Sequence, residues 1–287
     1  MEPVKVPAVR ERFFKYHGLG NDFVILDRRQ SGRDIGPEVA VRLCDRRRGI
    51  GADGVLVMLP AEGAAARMVV HNADGSIAEM CGNGLRCAAK FLLDHASEKV
   101  GRIAVMTGAG LLWCDATYED GEVRDVEISM GPARLTAPNL PTAEGPFVRR
   151  ELPGHPGVIG TAVSMGNPHL VLFDRPLGEA GTLGPVLERA RGFADRTNVE
   201  FVRQTAEGLE VVVWERGCGL TQACGTGACA TVAAGIREGR LPADTWVQVR
   251  LPGGPLRVRV TEDLSEVRMS GPAAFVFEGH LPPAEDL

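Results

Sequence analysis

The sequence predicts an α+β protein made of two similar halves, each a curved, mostly antiparallel sheet wrapped round a central helix. Three observations predict it. A cysteine followed by Gly-x-Gly and an apolar helical stripe occurs twice, at Cys81-Gly82-Asn83-Gly84 and at Cys224-Gly225-Thr226-Gly227. Landmarks recur at a near-constant offset: Gly20-Asn21 and Gly166-Asn167 lie 146 residues apart, the two cysteines lie 143 apart, and Asn72 and Glu215 each stand nine residues before their cysteine. The runs between are short, β-branched and mostly successive, which suits a curved antiparallel sheet better than a doubly wound parallel one. Identity between the halves is low, so the duplication rests on landmarks and element order.

In order, the first half reads as strands at 13–17 and 23–27, a helix over 37–46, strands at 55–59 and 67–71, a helix over 84–95, and strands at 103–107, 111–116 and 123–129. Pro37 suits a helix start and Gly49-Ile50-Gly51 a stop. Val55-Leu56-Val57 is a β-branched run, and residues 123–128 alternate as a half-buried strand does. Leu85, Ala88, Ala89, Leu92, Leu93 and Ala96 fall on one helix face. A Pro- and Gly-rich connection over 131–157 follows. The same order then returns: strands at 158–164 and 169–173, a helix over 183–191, strands at 199–203 and 210–214, a helix over 227–237, and strands at 245–251, 256–260 and 266–269. Met130-Gly131-Pro132-Ala133 and Ser270-Gly271-Pro272-Ala273 close the two halves with one phrase, leaving 275–281 to return as a strand on the first domain. The expected domains are residues 1–129 with the returning segment 274–287, and residues 130–273.

Composition narrows the function. The chain has 287 residues, 44% hydrophobic and 24% charged, enough for a full core in each of two domains. No apolar run approaches the ~18 residues of a membrane span, and the first eleven residues have no apolar signal region, so a cytoplasmic protein is expected. A net charge of −5 argues against general nucleic-acid binding. The one basic run, Arg46-Arg47-Arg48, reads as the last turn of a helix. Seven cysteines without a signal region point to reduced thiols, and their spacing gives no zinc knuckle, so no metal is expected. Cys44, Cys87, Cys114 and Cys229 lie in apolar patterns and read as small core residues. Cys218 is compatible with a spectator in a tight turn or with a redox partner of Cys224.

Cys81 and Cys224 stand at helix starts, where unpaired N–H groups and the helix dipole favour an anion. That setting favours a thiolate, and a carboxylate bound beside it. Two such thiols on duplicated domains suggest a cleft with one thiol on each wall. A planar carbanion held there would meet one thiol on each face, which is the requirement for inverting a carbon: one thiolate removes the proton and the other thiol returns one. No cofactor is required, and neither a Walker loop nor a Rossmann fingerprint is present.

The sequence resembles the diaminopimelate epimerase family, of the pyridoxal-independent amino-acid racemase fold. The resemblance covers nearly the whole chain. It is carried by His17 to Phe23, Gly49 to Gly54, Asn72 to Ser76, Met80 to Gly84, Ser164 to His169, Trp214 to Gly217 and Thr221 to Gly227. It implies interconversion of LL- and meso-2,6-diaminoheptanedioate for lysine and cell-wall synthesis, by a homodimer whose domains close on substrate. It further implies that Cys81 and Cys224 are the acid/base thiols and that Gly82, Asn83, Gly225 and Thr226 hold the reacting carboxylate. Asn21, Asn72, Asn167, Asn198 and Glu215 would bind substrate polar groups, with Arg216 on the distal carboxylate, and His169 and Glu215 would also tune the thiols. Where many members have Gly-Ala-Gly-Glu-Thr-Gln, this chain has Gly217-Cys218-Gly219-Leu220-Thr221-Gln222, and Gly54 stands where some members have glutamine. Two rival readings share the scaffold: a proline or hydroxyproline racemase, and a binding or redox-sensing protein in which one thiol is dispensable.

Overall fold

The structure, a computed structural model, describes residues 10–141 and 145–282. The stretch before residue 10 and the end of the expected returning segment, 283–287, lie outside the described residues, as do 142–144 of the connection. The chain divides into two compact units. Of the described residues, the first contains 10–18, Asp22–Val123 and 273–282, and the second contains Leu19–Asn21 and those between Arg124 and Pro272.

The first unit is built from β1 (Arg12–Gly18), β2 (Asn21–Asp27), α1 (Pro37–Cys44), β3 (Gly54–Leu59), β4 (Ala66–Asn72), β5 (Ile77–Ala78), α2 (Gly82–Asp94), β6 (Arg102–Thr107) and β7 (Gly110–Glu119). α2 is buried from Gly82 to Leu93, as its apolar stripe requires, and Phe91 packs its ring 4.9 Å from that of Phe14. Val24, Leu26, Val55 and Val57 form a second core layer under α1.

β8 (Glu122–Ser129) leads into the second unit: Asp125 to Ser129 pair antiparallel with Pro272 to Arg268. The division therefore falls inside this strand, near 123, whereas the sequence reading ended the first domain at 129. Alternation predicts a half-buried strand but not its neighbour, and here the neighbour decides the unit. There follow β9 (Arg150–Glu151), β10 (Ile159–Ser164), β11 (Pro168–Leu172), α3 (Ala180–Leu187), β12 (Asn198–Thr205), β13 (Gly208–Glu215), β14 (Gly219–Leu220), α4 (Gly225–Arg237), β15 (Val247–Leu251), β16 (Gly254–Val260) and β17 (Val267–Pro272). β18 (Ala274–His280) returns to pair antiparallel with β1 in the first unit, and Leu281 is buried there.

The duplication is legible in the pairing. β2 runs parallel to β3 and β4 parallel to β6; β11 runs parallel to β12 and β13 parallel to β15. The hairpins β3–β4, β6–β7, β12–β13 and β15–β16 are antiparallel, so the pairing is mixed in each half. α2 and α4 are both 13 residues long.

Two helix ends differ from the expected ones. α1 stops at Cys44 because the side chain of Asp45 accepts from the backbone N–H groups of Arg47 and Arg48, at 2.8 and 2.9 Å, closing a turn in place of another helical bond. The basic run is thus not a helix end; Arg46 instead reaches Asp22 and Asp53. α3 lies at 180–187 rather than 183–191, since beyond Leu187 the amides of Arg189 and Ala190 turn to carbonyls three residues back. Among the described residues no helix is long and apolar enough to cross a membrane.

Candidate active site

Both singled-out cysteines are N-caps. Cys81 has φ −138° and ψ 115°, and its sulfur accepts the N–H of Gly84 at 3.4 Å. Cys224 has φ −121° and ψ 106°, and accepts from Gly227 at 3.3 Å. An N-cap keeps extended dihedrals while its side chain meets the donors at the helix start, so each sulfur sits where N–H groups converge. Glycine two places into each helix is needed for the approach. A β-carbon on Gly227 would lie 2.9 Å from Oε1 of Glu200 and 3.2 Å from the sulfur of Cys224; on Gly84 it would lie 3.2 Å from Cδ2 of Leu56.

In the first unit, Asn83 is buried and accepts from the buried guanidinium of Arg86 at 3.0 Å. Asn72, at the end of β4, donates to Ser76 Oγ at 2.9 Å, and Ser76 in turn donates to Asp74 at 2.6 Å. Gly54 stands opposite Asn72 in the β3–β4 register. Asp22, next to Asn21, lies between Lys15 and Arg46, 2.7 Å from each. Burial pushes its carboxyl up, but those two cations outweigh it and hold the group well below the usual carboxylate range.

In the second unit, one hydrogen-bonded chain leads away from Cys224. Its sulfur lies 3.5 Å from Thr226 Oγ1, which accepts from Asn167 Nδ2 at 3.3 Å. Asn167 Oδ1 lies 3.0 Å from His169 Nε2, and His169 Nδ1 lies 2.6 Å from Glu200 Oε1. His169 and Glu200 are both fully buried. Burial pushes the Cys224 thiol well up, reinforced by the charges of Glu215 and Glu200 and opposed by Thr226 and the Gly227 N–H. Burial also raises Glu200, opposed by His169.

Asn198 is buried at the start of β12, donating to Pro168 O and accepting the backbone N–H of Arg216, each at 2.9 Å. Arg216 donates from Nη1 to Asp195 O. The next residue, Gly217, donates to Glu188, which also accepts from Trp214 and Arg196. The Trp214 bond comes first among the causes that hold the Glu188 carboxyl below its usual value.

A family model described as diaminopimelate epimerase matches residues 13–136 and 161–276. The chain belongs to the diaminopimelate epimerase family. The diaminopimelate epimerase of Heliobacterium modesticaldum is 43% identical to it over 280 residues, covering 94% of this chain and 99% of that protein. That of Pelotomaculum thermopropionicum is 44% identical over 281 residues, covering 94% and 98%. A phenazine biosynthesis protein of the PhzF family from Bacillus anthracis matches with a TM-score of 0.73 at 16% identity, over 96% of this chain and 100% of that one, a likeness of fold alone.

In this diaminopimelate epimerase family member, the sequence reading did not single out Glu200 or Glu188, which the structure places against His169 and against Trp214, Arg196 and the Gly217 amide. A signal for Glu200 exists: it is the one charged residue in the run Val199-Glu200-Phe201-Val202. A carboxylate in the middle of an otherwise apolar strand needs a buried partner. Cys218 is exposed in the turn between β13 and β14, with its amide bonded to Glu215 O. Cys44, Cys87, Cys114 and Cys229 are buried, and burial pushes Cys44 up to about 11 and Cys87 and Cys114 up to about 12, which keeps those thiols protonated.

Proposed function

We propose that the enzyme interconverts LL- and meso-2,6-diaminoheptanedioate, for lysine and peptidoglycan synthesis, with Cys81 and Cys224 as its two acid/base groups. The observation that carries the assignment is the matched pair of cysteine N-caps, one in each half of a diaminopimelate epimerase family member. In the forward step a thiolate takes the α-proton. The C–H electron pair spreads onto the carboxylate oxygens, where N–H groups at the helix starts stabilise the growing charge. The second thiol delivers its proton to the opposite face, and the enzyme ends with thiol and thiolate exchanged. Gly82, Asn83, Gly225 and Thr226 are assigned to the reacting carboxylate. Asn21, Asn72, Asn167 and Asn198 are assigned to the remaining polar groups, with Arg216 gripping the distal carboxylate in a bidentate geometry that lysine would not reproduce.

The test is proton NMR of reduced enzyme with LL-diaminopimelate in deuterated water, without added pyridoxal phosphate. Deuterium should enter the α-position as the meso isomer appears. Cys81→Ala and Cys224→Ala should each lower kcat at least about a thousandfold, the scale of a lost general acid or base. Substantial turnover in either variant overturns the two-base assignment, and faster inversion of proline overturns the substrate. We also assign the protein to the cytoplasm and to a homodimer. β18 exposes Phe275, Val276 and Phe277 in succession, which suits a subunit contact; light scattering during gel filtration reads the dimer directly.

A further inference from the structure

Glu200 is a buried carboxyl for which the two-thiol mechanism has no use. Its Oε1 meets His169 Nδ1, while its Oε2 is buried with no hydrogen-bond partner among the described residues. The hydrogen bonds fix where the protons lie. Asn167 donates its amide N–H to Thr226, so its Oδ1 is left to accept, and His169 Nε2 must carry hydrogen. One further proton then lies between His169 Nδ1 and Glu200 Oε1, and the pair as a whole is neutral. Losing that proton would leave a net negative charge in a site with no water access, so the pair retains it. Thr226 Oγ1 already accepts from Asn167, which leaves its own hydrogen to turn toward the sulfur of Cys224.

At the equivalent positions the first half has apolar side chains. In the parallel register of β2 and β3, Phe23 faces Gly54 and Ile25 faces Leu56; in that of β11 and β12, His169 faces Asn198 and Val171 faces Glu200. Phe23 and Leu56 thus occupy the places of His169 and Glu200. Leu56 lies against the Gly84 position as Glu200 lies against that of Gly227.

We propose that Glu200 is a positioning residue of the second half: with His169 it holds one buried proton, and the pair fixes the donor chain through Asn167 and Thr226 that ends on Cys224. Its carboxyl, pressed against the helix start, also sets the proton affinity of that thiol. The other groups acting on Cys224 are Glu215 on β13 and the helix-start donors. The inference rests on the reading of Cys224 as a proton carrier, deepening it by naming the group behind it.

The experiment uses full-length enzyme with 13Cβ-labelled cysteine and 15N-labelled histidine, the Cys224 and His169 signals being assigned with Cys224→Ser and His169→Gln. Glu200→Gln keeps the size of the side chain and removes its charge. Because the pair is neutral, the substitution removes a dipole whose carboxylate end lies against the helix start of Cys224, and should lower the midpoint of the Cys224 titration by roughly half a pH unit, less than loss of an unpaired charge would give, with the other cysteine signals unmoved. The pH profile of kcat/KM should move the same way. An unshifted Cys224 midpoint in folded Glu200→Gln overturns the proposal. Should that variant fail to fold, the wild type suffices: His169 Nε2, facing the Asn167 Oδ1 acceptor, is expected to carry hydrogen in the 15N spectrum, and a bare Nε2 overturns the proposal equally. These readouts need no turnover. An active Cys224→Ala would sink the two-base reading while leaving this result standing.

Discussion

Beneath Cys81 the helix start rests on carbon, with Leu56 against the Gly84 position; beneath Cys224 it rests on a carboxyl, Glu200 against the Gly227 position. The two halves share a cysteine N-cap, a helix length and a strand plan, yet one has Phe23 and Leu56 where the other has His169 and Glu200. Charge differs too. α2 carries buried Arg86 one turn inside its start, and the same place in α4 is Cys229. Duplication therefore preserved the device that presents a thiol and left its surroundings to diverge. That is the outcome to expect if two sulfurs must reach one carbon but need not have the same proton affinity.

The sharpest way to break the comparison is at the second glycine of each helix. Gly227→Ala forces a methyl group against both Glu200 and Cys224, and should cut kcat/KM about a hundredfold, the scale of a roughly 1 Å misplacement of a reacting group. Gly84→Ala meets only the end of Leu56 and the edge of Cys81, and should cost about tenfold or less by the same reasoning. Equal losses would mean that the polar underlay is irrelevant.

Next come the asparagines that stand beside the two equivalent hairpins. Asn198→Ala orphans Pro168 O in a buried setting and the Arg216 N–H in a part-buried one, and should lower stability by about 2 kcal/mol in urea titrations while raising KM. Asn72→Ala removes a bond to Ser76 at an exposed site and should cost under about 1 kcal/mol.

Acid should weaken the Asp22 cluster of the first unit. The Asp22 carboxyl is depressed in the folded protein, so its contribution to stability is full above the ordinary carboxylate value near 4 and is lost as pH falls through the folded value. Asp22→Asn should therefore destabilise by about 1 kcal/mol at pH 7, discounted for partial exposure, and by less at pH 3. A penalty that stays constant between those pH values would remove the ion-pair explanation. The smallest effect belongs to Cys218→Ser: the side chain is exposed in a turn, so stability should change by no more than about 0.5 kcal/mol and kcat/KM by less than about twofold. A larger loss would support the redox-partner reading.

The sequence by itself determined the repeated plan. Cysteine, Gly-x-Gly and an apolar stripe are a local code, because the cap, the close approach and the buried helix face are all set within about a dozen residues. The asparagine landmarks were legible for the same reason, as were the small buried cysteines. Only the tertiary structure decided what stands behind each thiol. His169 and Glu200 are 31 residues apart and meet because β11 and β12 lie parallel in one register, which no local periodicity encodes. In the same way β8 takes its unit from its pairing with β17, and Glu188 acquires its role from Trp214, Arg196 and the Gly217 amide, brought to it from another strand and turn. A charged residue inside a strand is locally unfavourable, and its meaning is set by the partner that offsets its burial.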